Sequence, residues 1–118
     1  MGCVNIIMIP KHDKLIRKVE ERLKSHHQDC IFLSNHVYKL AHQDGEADLI
    51  MINPTRHYAY AFEIKSSDLK KGRNKARYQL SKDVSYIKRE FGINEVHCFY
   101  VHGYPKNFNY SVTKSKHL

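Results

Sequence analysis

The chain has 118 residues, of which 42% are hydrophobic, so it is long enough for one globular domain with a modest core. Twenty lysines and arginines against twelve acidic residues give a formal charge of +8, which favours a polyanionic partner. No run is apolar for long enough to span a membrane, and the short apolar start lacks the basic residues of a signal peptide. We therefore expect a cytoplasmic protein without a membrane partner, folded as a single domain over residues 1–118 with a mobile basic tail at 114–118.

The cysteines predict neither a zinc site nor a disulfide. All three lie far apart without a C-x-x-C pair, and the histidines near them match no tetrahedral zinc spacing. His97 and Cys98 would point to opposite faces of a strand. Cys30 and Cys98 lie in apolar runs and are expected to be buried free thiols in a reducing compartment. Nothing in the sequence indicates a small-molecule organic cofactor.

The first predicted element is a helix that begins at residues 10–12, after a short apolar segment (1–9) that forms either an edge strand or a packing arm. The helix carries one apolar stripe at helical spacing, formed by Leu15, Ile16, Val19 and Leu23. Glu20 lies at the edge of this stripe. Its position fits either an ordinary boundary residue or an acid that faces a site.

A polar turn at 26–29 leads to a buried strand at 30–33. Residues 34–44 show no clean period, and we interpret them as a loop or ragged strand beside the next motif. Within it Tyr38, Lys39 and His42 either touch a substrate or are simply solvated.

Residues 45–65 predict a β-hairpin, because two runs of strand formers flank a polar segment that contains Asn53 and Pro54. If Asn53 pairs with Tyr58, Asp48 lies opposite Glu63. Alternation then puts four polar side chains on one face, namely Glu46, Asp48, Glu63 and Lys65. It puts five apolar side chains on the core face, namely Ala47, Leu49, Met51, Phe62 and Ile64.

Two facing carboxylates repel each other by about 3 kcal/mol at a separation of roughly 5 Å and an effective dielectric constant near 20. A divalent cation would offset this repulsion, and paired acids supply the hard oxygen ligands that Mg²⁺ or Mn²⁺ prefers. Lys65 could then orient a water bound to the metal. The plainer alternative is that Lys65 forms a cross-strand ion pair with Glu46.

A second helix is expected after residues 66–68, where Ser66, Ser67 and Asp68 are candidate N-caps. Its start is strongly basic, with Lys70, Lys71, Arg73, Lys75 and Arg77. Its apolar arc comprises Ala76, Leu80, Val84, Ile87 and Phe91, and Gly92 ends it. Gln79 lies on the flank of the arc, where it is either an exposed helical residue or a member of a site.

Residues 95–101 predict a buried strand with Val96, Cys98 and Tyr100 on one face and His97, Phe99 and Val101 on the other. A turn at 103–107 leads to an edge strand at 108–112. The resulting order is helix, three strands, helix and one or two strands, which predicts an α/β fold. The first three strands suit an antiparallel meander, and the second helix suits a crossover to the fourth strand.

The arrangement of Asp48, a hairpin and then Glu63-Ile64-Lys65 within this order resembles the PD-(D/E)XK nuclease superfamily, which has the restriction-endonuclease-like fold. The closest resemblance is to small archaeal-type Holliday-junction resolvases. It implies an αβββαβ core whose mixed central sheet is flanked by two helices. One departure is Ala47, which stands where many members have proline before the first acid.

The resemblance also implies a function, a Mg²⁺- or Mn²⁺-dependent endodeoxyribonuclease. Asp48, Glu63, the Ile64 backbone carbonyl and Glu20 would hold the metal. Lys65 would act in catalysis, and Gln79 would join the site from the second helix. The implied partners are DNA, held by the basic helix start and Lys39, and a second copy in a homodimer.

Two other functions remain open at the level of sequence. The first is a nucleic-acid-binding module on the same fold without catalysis, and the second is an adaptor whose basic face meets an acidic protein. The sequence shows no aromatic cluster devoted to base stacking, so we expect selectivity for DNA structure, such as a junction, duplex or flap.

Overall fold

The computed structural model describes residues 11–66 and 70–112. Its elements are α1 (Lys11–His26), β1 (Ile31–Leu40), β2 (Gln43–Asn53), β3 (Tyr58–Lys65), α2 (Lys70–Phe91), β4 (Glu95–Tyr104) and β5 (Asn107–Val112). The strands form one sheet in the order β1-β2-β3-β4-β5, in which β3 and β4 run parallel and the other neighbours run antiparallel. The predicted α/β class, the meander, the helical crossover and the edge position of the last strand are confirmed.

Several predictions lie outside the described residues. They concern the segment before residue 11, Cys3, the candidate caps Ser67 and Asp68, and the basic tail at 114–118. Neither described helix is long and apolar enough to cross a membrane.

Each face of the sheet is covered by one helix. On one face, Leu15, Ile16 and Val19 of α1 pack on a cluster that includes Leu49, Met51, Phe62 and Ile64. On the other, Leu80, Val84 and Ile87 of α2 pack on a cluster that includes Ile50, Ala59, Ala61 and Cys98. The predicted apolar stripes of both helices are therefore buried except at their last members, since Leu23 is only partly buried and Phe91 is exposed. Gly92 ends α2 with φ of 66°, and its N–H bonds to the Lys88 carbonyl.

The side-chain alternation of β2 breaks at Asp48, which the sequence analysis did not foresee. Leu49 packs on the α1 side, whereas Ala47 belongs to the cluster on the α2 side. The neighbouring strand contains Asn35 with φ of 46°, at the position that the β1–β2 register sets opposite Asp48. The prediction that Ala47 shares a face with Leu49 is therefore wrong. The β2–β3 pairing ends at Leu49 and Phe62, so the prediction that Glu46 pairs with Lys65 is wrong, and Glu46 is exposed.

Residues 34–40, interpreted as a loop or ragged strand, belong to a continuous β1. The positive φ of Asn35 explains the missing period, because a single left-handed residue shifts the alternation without ending the strand. Tyr38 is not a solvated loop residue but is 5% exposed. Cys98 is a buried free thiol as predicted, whereas Cys30 is only partly buried.

Candidate active site

The site lies where β2 and β3 separate. The predicted hairpin register is confirmed, with paired positions from Asn53 and Tyr58 to Leu49 and Phe62. One step further, Asp48 Oδ2 accepts a hydrogen bond of 2.8 Å from the Ile64 backbone N–H. A side chain thus takes over a bond that a strand backbone would make, which fixes the Asp48 carboxylate between the two strands.

His12, in the first turn of α1, reaches the same place from the other helix. Its Nε2–H donates to the Ile64 carbonyl at 2.7 Å and lies 3.5 Å from Asp48 Oδ2. The pKa of His12 is raised, chiefly by its hydrogen bond to Asp48. The sequence analysis missed this residue. The available signal was its position, since His12 precedes Leu15 and Ile16 by three and four residues and so stands on the apolar face of the helix.

Glu63 is a buried carboxyl group, with the residue only 5% exposed. Its Oε1 lies 3.3 Å from Lys65 Nζ, whereas Oε2 is buried and has no hydrogen-bond partner among the described residues. Burial and then the charge of Asp48 raise the pKa of Glu63 to about 8, although Lys65 acts in the opposite direction. The predicted repulsion between the two acids therefore adds to burial in raising the pKa of Glu63, so that its carboxyl group holds a proton near neutral pH.

A cavity of about 500 Å³ opens over this carboxyl group on the α2 side of the sheet. The residues that line it are all of polar or charged type, and three of them are lysines: Glu63, Lys65, Asn74, Lys75, Tyr78, Gln79 and Lys82. Lys65 is partly exposed and joins the buried acid to the open cavity. The sheet thus carries Asp48 and Glu63, and residues in the first half of α2 form the wall of the cavity above Glu63.

Asp83 is a second buried acid on α2, and the sequence analysis missed it. It is 0% exposed, and its Oδ1 accepts hydrogen bonds from the Tyr38 hydroxyl at 2.5 Å and from Gln79 Nε2 at 2.9 Å. Its Oδ2 is buried and unpartnered among the described residues. Burial raises the pKa of Asp83 to about 7 against the effect of both hydrogen bonds. The signal in the sequence was an acid within the apolar arc, next to Val84.

Tyr38 and Asp83 hold Gln79 in place. The Tyr38 hydroxyl also accepts from Gln79 Nε2 at 3.3 Å, and the pKa of Tyr38 is raised, first by burial and then by Asp83. Because both contacts use the amide nitrogen of Gln79, they fix the side chain in the wall that it shares with Glu63 and Lys65. The structure therefore brings together six of the predicted site residues: Asp48, Glu63, Ile64, Lys65, Lys75 and Gln79.

Glu20 and Lys39 lie apart from this group. Glu20 pairs with Lys24 at 3.2 Å and lines a separate polar cavity with Asp13 and Arg17. Lys39 is exposed on β1, opposite Asp44. The predicted roles of both residues stay predictions.

The basic helix start is exposed at Lys70, Lys71, Arg73, Lys75 and Arg77. Of these five residues, only Lys75 lines the cavity above Glu63. The patch therefore borders the site without forming its floor.

Over residues 11–66 and 70–112, no three His, Cys, Asp or Glu side chains form a group that could hold a metal ion. The donors near Asp48 are nevertheless of the kind that a hard divalent cation takes, since they are carboxylate and carbonyl oxygens. The unpartnered Oε2 of Glu63 fits such a cation, while His12 already bonds to the Ile64 carbonyl. A scan against models of known protein families and a search of curated proteins both find no match for this chain.

Proposed function

We propose that the protein is a metal-dependent endodeoxyribonuclease with the restriction-endonuclease-like fold. The observation that carries the proposal is the buried Glu63 carboxyl group, which lines a cavity with three lysines and has one oxygen without a hydrogen-bond partner among the described residues. Burial and then the charge of Asp48 raise its pKa, and its other oxygen contacts Lys65. A site with this composition suits an anionic substrate that approaches together with a cation.

Asp48, Glu63 and the Ile64 carbonyl would hold a Mg²⁺ or Mn²⁺ ion. The bound ion would supply Lewis acidity to the phosphate and lower the pKa of a water molecule. Lys65 would position that water and stabilise the negative charge that develops on the phosphate. His12 would orient Asp48 and release the Ile64 carbonyl when the ion binds, because the carbonyl oxygen now accepts from the imidazole.

The basic residues at the start of α2 would bind the DNA backbone. Cutting both strands of a duplex or a junction requires two such sites, which favours a homodimer. A non-catalytic nucleic-acid-binding module with the same surface is the rival function, since the charge of +8 supports binding whether or not the acids hold a metal.

The test is cleavage of labelled single-stranded, duplex and four-way-junction DNA in Mg²⁺, Mn²⁺ or EDTA. We expect metal-dependent cutting by the wild type and a loss of about 100-fold or more in each of two variants. Glu63→Gln removes a carboxylate that would hold the metal, and Lys65→Ala removes the cation that would stabilise negative charge on the phosphate. Glu90→Gln and Lys88→Ala alter exposed residues at the far end of α2 and serve as matched controls that retain activity. Folded wild-type protein that binds DNA but cuts none of the three substrates in either metal would establish the binding module instead.

A further inference from the structure

A line of lysine, arginine and histidine residues follows the whole length of α1. Lys11, Lys14, Lys18, Arg22 and His26 recur at spacings of three or four residues, so they share one side of the helix. All five are exposed. Lys11 Nζ lies 3.8 Å from the centroid of the Tyr104 ring and the Arg22 guanidinium 4.1 Å from that of Phe108, while Lys18 contacts Glu21. We call these five residues the α1 basic stripe.

The α1 basic stripe connects two different places. Its first residue adjoins His12, which contacts Asp48 and Ile64. Its last residue, His26, lines an apolar pocket of about 230 Å³ on the α1 side of the sheet. The helix between them spans about 24 Å, from its 16 residues and a rise of 1.5 Å per residue.

The pocket is built from aromatic rings. It is lined by Arg22, Leu23, His26, His27, Tyr60, Phe62 and Phe99. Phe62 and Phe99 stack with centroids 5.1 Å apart, and the centroid of Tyr60 lies 5.0 Å from that of Phe99. The His27 ring meets Tyr60 edge-on at 6.0 Å. Tyr60, Phe99 and His27 are only partly buried, so their rings stay accessible from the pocket.

This aromatic cluster is not visible in the sequence, from which no cluster devoted to base stacking was predicted. Its members are distributed over α1, the turn that follows it, β3 and β4, so only the folded sheet brings them together. The pocket is smaller than the roughly 300–1,000 Å³ of sites for drug-sized ligands, which suits one planar ring system. Arg22 at its edge adds positive charge where a phosphate would follow the ring.

We propose that this pocket binds an unpaired nucleobase of a DNA strand, and that the α1 basic stripe binds the phosphates that lead to it from the end of the sheet at which His12 contacts Asp48 and Ile64. The inference rests on the proposed nucleic-acid partner but not on cleavage. At the 3.4 Å spacing of a B-form strand the stripe corresponds to about seven phosphates, and to fewer in an extended strand. The substrate class is therefore DNA with a single-stranded arm, such as a flap or an overhang.

The experiment measures binding in EDTA, so that cleavage does not contribute. A labelled single strand and a fully paired duplex of equal length are titrated with wild type, Phe99→Leu and Tyr60→Leu. Phe91→Leu, at the exposed end of α2, is the matched control. We expect the pocket variants to bind the single strand about 5- to 150-fold more weakly, which is the range for loss of stacking on one base, and to bind the duplex unchanged.

A second measurement locates the base directly. The adenine analogue 2-aminopurine, placed at successive positions of an overhang next to a duplex, loses fluorescence when it stacks on an aromatic ring. We expect quenching only at positions beyond the first few nucleotides, and its loss in both pocket variants and in Arg22→Gln. Thermal unfolding of each variant shows whether it is folded.

Three results would overturn the inference. They are unchanged single-strand affinity in both pocket variants, an equal loss for single strand and duplex, and quenching that is independent of Phe99. If a second copy of the chain fills the pocket instead, single-strand affinity is unchanged in both variants. Sedimentation would then show that Phe99→Leu is a monomer. If the protein binds single strands through Phe99 but cuts no DNA, the nuclease proposal is wrong and this inference is still supported.

Discussion

Glu63 is the residue at which stability and the proposed chemistry oppose each other. Its pKa is raised from 4.5 to about 8 in the folded chain, so the folded state holds the proton more tightly than the unfolded state does. Stability contributed by this proton is fully present below about pH 4.5 and is lost as the pH rises towards 8. Above that range the folded protein contains a buried carboxylate close to Asp48.

Glu63→Gln should therefore stabilise the protein in a pH-dependent way. The amide cannot ionise, so we expect the variant to gain at least about 1 kcal/mol over wild type near pH 9, or several degrees in melting temperature, and little near pH 5. Thermal denaturation across this pH range in EDTA makes the comparison. Glu90→Gln, at an exposed position on α2, should show no such trend. An equal change in melting temperature at both pH values would contradict the pKa assignment.

The polar residues of the site differ in whether the sequence alone predicts that they belong to it. Asp48, Glu63 and Lys65 were found because two acids at facing positions of a hairpin are unfavourable without a reason. His12 and Asp83 were missed, although each is a polar residue on an apolar helical face. Their roles depend on partners 52 and 45 positions away, Ile64 and Tyr38, and helical periodicity does not indicate which distant residue comes into contact.

At the scale of elements, the hairpin and both helices follow from the sequence, because their periods are regular over several turns or pairs. The β1–β2 pair does not, because the alternation breaks at Asn35 and Asp48. A strand with one left-handed residue looks aperiodic, so residues 34–40 were interpreted as a loop or ragged strand. The break matters for the site, since it occurs at the acid that bonds to Ile64.

Gly45 of β2 gives a test of how β1, β2 and α2 fit together. A Cβ atom there would lie 2.4 Å from the Tyr38 ring, which stacks on Tyr86 and bonds to Asp83. We expect Gly45→Ala to destabilise the protein by about 1–3 kcal/mol, because the ring has to move and the buried Asp83 loses its donor. Denaturant unfolding measures the difference.

The matched control is Gly72→Ala in the first turns of α2. A Cβ atom there meets only the Tyr100 hydroxyl, at 3.4 Å, and alanine favours a helix by about 0.5–1 kcal/mol over glycine. This variant should be as stable as wild type or more so. Equal stability of the Gly45 variant and wild type would mean that Tyr38 is not held in place by Asp83.

At the scale of the whole molecule, the proposed DNA binding would depend either on net charge or on the placement of charge. The charge of +8 would attract any polyanion, whereas the proposed function needs the phosphates at the start of α2, beside the cavity above Glu63. Lys71 and Lys75 lie at that end, and Lys88 and Arg89 lie at the other. The nearest members of the two pairs are separated by about 20 Å of helix, well beyond the Debye length of about 8 Å at physiological salt.

Two double variants with the same net charge separate these explanations. We expect Lys71→Ala with Lys75→Ala to weaken duplex binding and to reduce the slope of log K against log salt by about 0.9 for each phosphate that the protein no longer neutralises. Lys88→Ala with Arg89→Ala removes the same two charges and should leave the slope unchanged, because the proposed DNA path does not reach that end of α2. Equal losses of affinity and slope in both variants would mean that DNA binding depends only on total charge. The start of α2 would then not be the surface that binds DNA next to Glu63.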